Sequence, residues 1–516
     1  MRWPRLKPVR VAGAGLVGAG FAVALLDFRD AVPSALGHWL GSVQFVPAAI
    51  GVAAGGALAS ALVLAGLLLI TLLFGRVYCA VLCPLGILQD VVVRLRRRLG
   101  GRGRVLPYAK PANALRYGIL GLTLAGVAVG AGGLTLVLVD PYSNFGRIMV
   151  GLVRPLVVAA NNLAVGGVEG LGWTWLYRVE PPWLGWSAAV WSLAVLVSVG
   201  GLAWWRERLF CNTACPVGTV LGLVARRAAW RLRIEASACV KCGDCLRACK
   251  AQCIDVRTGT IDASRCVACF NCIGACEERG IAHEWMWRRT TAAPAPGRRE
   301  FLAGAAVVAS ARALPESPKP ASAAPAAEDP NACTAVCPPG AQSLDRYLQR
   351  CTACHLCVSA CPTHVLRPAR LDFGFAGWLR PRLDFTKAFC NFDCTRCGEV
   401  CPTGAIEHLD LADKQRTRVG RAALKVDLCV VKRDGTECAA CSEHCPTKAV
   451  ETVPYRDNLR LPEVKPELCI GCGACEFACP VVPEKAITVT GRRRHERAEK
   501  AVEAKPAAPA AGDFPF

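Results

Sequence analysis

Twenty-four of the 31 cysteines fall into six quartets, and that spacing limits what the chain can build. "CVKCGDCLRACK" sets Cys239, Cys242, Cys245 and Cys249 at C-x2-C-x2-C-x3-C, and "CVACFNCIGACE" repeats it 27 residues on with Cys266, Cys269, Cys272 and Cys276. This is the spacing of bacterial two-cluster ferredoxins. Three thiolates wrap one cubane from a tight loop, and the fourth starts a helical turn pointing to the neighbouring cubane. The expected sets are Cys239, Cys242, Cys245 with Cys276, and Cys266, Cys269, Cys272 with Cys249. Zinc ribbons also use C-x2-C pairs, but they need four ligands, not eight at this spacing. Lys250 and Glu277 stand where a proline usually follows the fourth cysteine.

Four more quartets follow: Cys351, Cys354, Cys357, Cys361; Cys390, Cys394, Cys397, Cys401; Cys429, Cys438, Cys441, Cys445; and Cys469, Cys472, Cys475, Cys479. They begin 39, 39 and 40 residues apart, and each ends in Cys-Pro. Six [4Fe–4S] clusters are therefore expected, with iron as the metal and these cysteines as its ligands.

Seven cysteines remain. "CAVLCPLG" carries Cys79 and Cys83, and "CNTACPVG" carries Cys211 and Cys215. Residues four apart share a helix face. Brought together, the two pairs would form a further metal centre, a thiol/disulfide couple or part of a quinone pocket. Cys333 and Cys337, in "CTAVCPPG", repeat the spacing, and Cys253 reads as packing. His355 and His444 lie inside cluster loops and read as polar loop residues, with potential tuning as the alternative. No C-x-x-C-H haem motif, P-loop or nucleophile elbow is present, and no acid–base dyad is expected.

Apolar residues make up 53% of the chain. Four stretches approach or exceed the roughly 20 residues that cross a bilayer as helix: Val11–Leu26, Phe45–Gly75, Tyr117–Val139 and Pro181–Trp205. The uncharged run Pro155–Val168 reads as too short, an amphipathic or re-entrant element on the outer side. Arg2, Arg5, Lys7 and Arg10 precede the first span, and residues 76–116 hold nine basic residues against one acid, Asp90. More arginines follow the fourth span. The positive-inside rule puts the N-terminus, the second loop and the region after span four in the cytoplasm. The net charge of +21 is then mostly topology, and nucleic acid is not an expected partner. "GAGLVG" (13–18) matches a dinucleotide fingerprint, but no strand–helix context or acidic partner follows, and small residues also let membrane helices approach.

The expected organisation is a four-span membrane module (1–233), a two-cluster domain (234–285), a tether (286–332), a four-cluster domain (333–490) and a disordered tail (491–516). The fold class is mixed, an α-helical membrane bundle plus α+β ferredoxin-like domains. The tether holds "RREFLAGAAVVASA" (298–311), with two arginines, a short apolar run and an A-x-A-like end, the pattern of a twin-arginine export signal.

The spans, "YCAVLCPLGILQD", "DPYSNFGR", "LFCNTACPVG" and the first ferredoxin pair resemble the membrane ferredoxins of periplasmic nitrate reductase systems, the NapH-like family. The same module occurs in nitrous-oxide-reductase regulatory proteins. From Arg298 the chain resembles the NapG-like periplasmic four-cluster ferredoxins, which begin with a twin-arginine signal. The resemblance implies a fusion of two electron carriers in a bacterial inner membrane. It implies relay between the quinone pool and a soluble redox enzyme, with possible quinol dehydrogenase activity and an exported C-terminal domain. In such four-cluster proteins the outer repeats pair with each other, as do the inner repeats. Two rival readings stand beside it: a redox sensor or maturation factor without quinol activity, and an all-cytoplasmic relay subunit.

Overall fold

The computed structural model describes residues 6–55, 58–99, 107–128, 132–168, 177–180, 185–287 and 329–499. The twin-arginine-like stretch 298–311 lies outside them. The chain divides into two compact units. The first gathers residues 1–324, 345–381 and 396–408; the second gathers 325–344, 382–395 and 409–516. The region expected as one four-cluster domain is thus divided between the two units.

In the first unit, helix α1 (Leu6–Leu26) carries no charge after Arg10 and is about 32 Å long at 1.5 Å per residue. Its glycines act as packing sites. A Cβ at Gly13 would touch Val81 at 3.3 Å, and one at Gly18 would touch Ile87 at 3.2 Å. The outer two of the three dinucleotide-like glycines are therefore where other helices approach α1, while Gly15 faces open space.

Among the described residues three helices are long and apolar enough to cross a membrane: Leu6–Leu26, Pro141–Gly167 and Trp186–Arg206. A fourth is counted if the bent pair α2 (Ser34–Ser42) and α3 (Phe45–Ala53), which meet at 80°, forms one span. Two expected spans are broken instead. Phe45–Gly75 divides into α3 and α4 (Leu58–Phe74), which pack against each other after Gly55 adopts a left-handed φ of +68°. Tyr117–Val139 divides into α7 (Asn113–Ala128) and α8 (Gly132–Val139); a Cβ at Gly126 would lie 2.8 Å from Thr135, so the two helices fold back on one another. Between these hairpins lie α5 (Tyr78–Val81) and the amphipathic α6 (Pro84–Leu99).

The run expected to be too short, Pro155–Val168, ends a 27-residue helix. "DPYSNFGR" forms its start. Asp140 caps the start, accepting from Tyr142 N and Ser143 N, and Pro141 needs no N–H partner there. Every residue from Pro141 to Ile148 is buried. Arg147 tolerates this because Val137 O and Asn144 Oδ1 accept from it. A π-helical stretch, Met149–Val153, joins this α9 (Pro141–Ile148) to α10 (Arg154–Val168).

After α11 (Trp186–Arg206), α12 (Leu209–Thr213) and α13 (Pro216–Ala225) comes the first cysteine-rich domain. Strand β1 (Trp230–Ile234) pairs antiparallel with β4 (Ile281–Trp285), Trp230 opposite Trp285. A small hairpin, β2 (Ile254–Asp255) with β3 (Thr260–Ile261), and two short helices, α14 (Asp244–Ala248) and α15 (Asn271–Ala275), complete it.

The second unit is built on a three-stranded antiparallel sheet of 332–333, 487–497 and 417–424, with a separate hairpin of 450–454 and 460–464. The strand starting at Ile487 runs to Arg497, past the expected end of the domain at residue 490.

Candidate iron–sulfur centres

Four of the six quartets share one backbone device. The second and fourth residues after the leading cysteine are left-handed: Lys241 and Gly243, Ala268 and Phe270, Ala353 and His355, Gly471 and Gly473. Such alternation turns successive N–H groups to one side, making the concave nest that suits an anionic cluster. The two quartets with longer spacing, those led by Cys390 and Cys429, lack it because their cysteines are not at C-x2-C-x2-C.

In the first domain the thiols sort as the spacing implies. One small cavity is lined by Cys239, Cys242, Cys245 and Cys276; another by Cys249, Cys266, Cys269 and Cys272. Each contains one quartet's first three cysteines and the other's fourth. Gly280 N donates to Cys276 Sγ at 3.2 Å. Cys253 does more than pack. It lines the second cavity, 3.7 Å from Cys249 Sγ, and hydrogen-bonds Cys266 as well.

The C-terminal repeats pair differently from the expectation of outer with outer. In the first unit, Cys351, Cys354 and Cys357 interact electrostatically with Cys401, from the next repeat. In the second, Cys469, Cys472 and Cys475 interact with Cys445, and Cys441 interacts with Cys429, Cys438 and Cys479. The reason is local. The short helices Leu356–Ala360 and Arg396–Glu399 pack together, as do Ala440–Glu443 and Ala474–Ala478, which brings Cys401 to the Cys351 loop, Cys445 to the Cys469 loop and Cys479 to the Cys441 helix. Backbone N–H groups aim at these sulfurs too, Ala449 N at Cys445 (3.2 Å) and Ile406 N at Cys401 (3.4 Å).

Among the described residues no three His, Cys, Asp or Glu side chains converge as a single ion requires. The donor set of thiols in nest-like loops with N–H groups on sulfur fits a cubane, which holds its ligands further apart.

Cys79, Cys83, Cys211 and Cys215 are all buried and come together at one end of the membrane helices. Cys333 does not join them. Its thiol donates to Ala335 O at 3.1 Å, and burial pushes its pKa up to about 11. The histidines serve the backbone rather than sulfur. His355 Nε2 meets Leu379 O at 2.9 Å, and burial pushes its pKa down to about 4, which keeps it neutral. His444 Nδ1 meets Ala440 O at 2.9 Å.

The two docking surfaces on the membrane helices were not legible as sites. At the N-terminal end of α1, Asp90 gathers Arg10 (2.9 Å), Arg208 (2.7 Å) and Lys250 (3.2 Å), tying α1 and α6 to the first cysteine-rich domain. At the C-terminal end of α1, Ser359 Oγ donates to Leu25 O at 2.7 Å, and Arg350 Nη2 donates to Ala54 O at 3.3 Å. There Tyr142 hydrogen-bonds Cys354, and a Cβ on Gly146 would lie 2.2 Å from Cys354 O. The "DPYSNFGR" helix is thus a seat for the Cys354 loop.

Comparisons with known proteins match iron–sulfur domain models to parts of the chain. A 4Fe-4S binding domain matches residues 57–102 and 185–235, a 4Fe-4S dicluster domain matches 350–405, and a second 4Fe-4S binding domain matches 462–482. The dicluster match spans the two repeats that the structure pairs. The ferredoxin-type protein MauM of methylamine utilisation from Methylorubrum extorquens is 32% identical over 31% of this chain and 73% of its own length. The chain belongs to the ferredoxin-type protein family. The ferredoxin-type protein NapH of Haemophilus influenzae is 27% identical over 48% of the chain and 73% of its own length. NapF of Escherichia coli K12 is 28% identical over 29% of the chain and 83% of its own length. No solved structure matches the chain. This ferredoxin-type chain is an iron–sulfur electron-transfer protein with three or four candidate membrane spans.

Proposed function

We propose that the chain carries electrons across a bacterial inner membrane, between the quinone pool and a soluble redox partner on the outer side. Six [4Fe–4S] clusters would be held by the six cysteine quartets. A bound cluster supplies one-electron exchange. The protein's part is to hold each cluster and set its potential through N–H and O–H donors on sulfur.

The observation that supports this reading is the placement of two cluster-bearing segments at opposite ends of one membrane helix. Arg10 of α1 joins the first dicluster domain through Asp90 and Lys250, whereas Leu25 receives Ser359, between Cys357 and Cys361. Fifteen residues separate Arg10 and Leu25, about 22 Å of helix. The arginine-rich end belongs in the cytoplasm, so the Cys351–Cys361 segment belongs outside. The 298–311 stretch would then serve export of the cluster-bearing C-terminal region.

The test is a tag after Phe516 and protease added to intact spheroplasts. Cleavage without lysis supports the transmembrane reading. Protection until lysis refutes it and leaves a cytoplasm-facing polyferredoxin.

A further inference from the structure

The two C-x3-C-P motifs are one structural unit written twice. Arg76 and Arg208 each stand three residues before a leading cysteine, and Gly86 and Gly218 each stand three after the second. The copies exchange contacts. Arg76 Nη2 donates to Cys211 O at 3.0 Å and lies 3.7 Å from Cys79 Sγ. Arg208 Nη1 donates to Cys79 O at 3.0 Å and lies 3.8 Å from Cys211 Sγ. A Cβ at Gly86 would meet Cys79 O and Arg208; one at Gly218 would meet Cys211 O and Arg76. Cys215 Sγ accepts from Gly218 N at 3.3 Å, and Cys83 accepts in the same way from Gly86. Cys83 interacts electrostatically with the other three sulfurs, so the four thiols form one group. Each is only 4% exposed.

Charge decides what this group holds. Arg76 is fully buried, and its hydrogen bonds go to Asn212 Oδ1, Ser264 O, Cys211 O and Cys79 Sγ, with no carboxylate among them. The groups that favour its charge electrostatically are Cys79, Cys211 and Cys215. Arg208 has Asp90, but that one carboxylate also serves Arg10 and Lys250. A buried cation without an anion is strongly unfavourable. Four neutral thiols, or two disulfides, would leave Arg76 unbalanced. Four thiolates on a [4Fe–4S]2+ core carry two net negative charges, which two guanidiniums match.

Location separates a redox cluster from structural zinc. Asn212 Nδ2 donates to Ala251 O at 3.2 Å, and Arg76 acts electrostatically on Cys266, so the group adjoins the Cys249/Cys266 site. The 4Fe-4S binding domain match takes in both motifs and stops short of Cys239. No three described thiols converge as a single zinc ion requires.

We propose that Cys79, Cys83, Cys211 and Cys215 hold a seventh iron–sulfur cluster, of the [4Fe–4S] type, between the membrane helices and the first dicluster domain. Arg76 and Arg208 balance its charge. The cluster gains one electron as its dicluster neighbour loses one, or the reverse, with no bond made or broken. This site does not depend on which side of the membrane holds the C-terminal repeats.

The test is iron, acid-labile sulfide and zinc per chain in the anaerobically purified full-length protein and in its Cys79→Ser/Cys211→Ser variant. The expected result is about 28 irons and 28 sulfides falling to about 24 of each, without zinc. About 24 in both proteins overturns the proposal, as does one zinc lost in the variant or a disulfide among these cysteines in the unreduced protein. Arg76→Gln keeps all four thiols and decides the matter should the double variant fail to accumulate. In an EPR redox titration one component should move to more negative potential, because a positive charge that favours the extra electron is gone. Unchanged components throughout would overturn the proposal.

Discussion

Gly146 is where one methyl group should separate the membrane helices from the Cys354 loop. An alanine Cβ there would lie 2.2 Å from Cys354 O and 3.2 Å from Cys354 C. Ordinary contact is above 3 Å, so the loop would have to retreat by roughly 1 Å, and non-bonded attraction falls away steeply over such a gap. Both colliding groups are backbone, which no rotamer change can relieve. Overpacking of this kind costs about 1–3 kcal/mol, and the rigid geometry puts Gly146→Ala near the upper end. Alanine regains about 1 kcal/mol of helix propensity in α9. The net loss is about 2 kcal/mol, which raises the undocked fraction roughly 30-fold. Hydrogen exchange on the full chain reads that fraction directly. Peptides covering 352–360 should exchange about 30-fold faster in Gly146→Ala. Gly118→Ala in α7, where a Cβ meets nothing within 4 Å, should leave them unchanged. Equal exchange in the two variants would refute the close approach and, with it, the docking of this loop on the membrane helix.

Three further outcomes are expected. Asp90→Asn leaves Arg10, Arg208 and Lys250 without their shared anion, which should cost about 3 kcal/mol and make the first dicluster domain sensitive to protease. Against the upward push of burial, Arg208, Lys250 and Arg10 hold Asp90 well below the usual carboxylate range, so this contribution persists above about pH 4 and is lost only in stronger acid. His495 has the same sign of dependence in a higher window. Burial pushes its pKa down to about 4 and its ring nitrogens have no partner among the described residues, so the unfolded chain takes up the proton first. Stability of the second unit should fall by up to about 3 kcal/mol as pH drops from about 6.5 to 4, and His495→Phe should flatten that slope in urea titrations. Tyr142→Phe removes a hydrogen bond to Cys354; at about 1 kcal/mol, one cluster potential should fall by about 40 mV with iron content unchanged.

What could be read from the sequence was the part fixed by local spacing. Cys239 to Cys276 sort into the two cavities because each C-x2-C-x2-C loop carries its own left-handed residues at fixed offsets. Of the C-terminal repeats, those led by Cys351 and Cys469 use the same loops, but the pairing depends on which short helices pack, and Cys-Pro endings do not encode that. The membrane helices were legible as apolar composition and not as breaks. Gly55 ends α3, and Gly126 lets α7 meet α8, yet both look like ordinary small residues in a hydrophobic run. "DPYSNFGR" shows the converse: its side chains are polar, yet it starts a long helix, because Asp140 spends its oxygens on the helix start and Arg147 reaches carbonyl and amide oxygens nearby.

The arginines show how one composition serves two physical ends. Their distribution along the chain orients the helices, but the largest fully buried side chains include Arg76, Arg147, Arg154, Arg208 and Arg380. Each has cysteine among its electrostatic partners: Arg147 interacts with Cys351 and Cys354 beside Asp140, Arg154 with Cys361 beside Asp27, Arg380 with Cys351, and Arg76 and Arg208 with Cys79 and Cys211. Topology alone does not require burial, since a charge that only orients a helix does so best in water. A cluster ligated by four thiolates carries net negative charge, and a low-dielectric site must balance it locally. The formal charge of +21 counts every cysteine as neutral. Six clusters at two negative charges each would bring about −12, which removes more than half of that excess. With six clusters bound as proposed, much of the chain's basic character would be the complement of that iron–sulfur load, and protein stripped of iron should then lose the arginine-lined segments first.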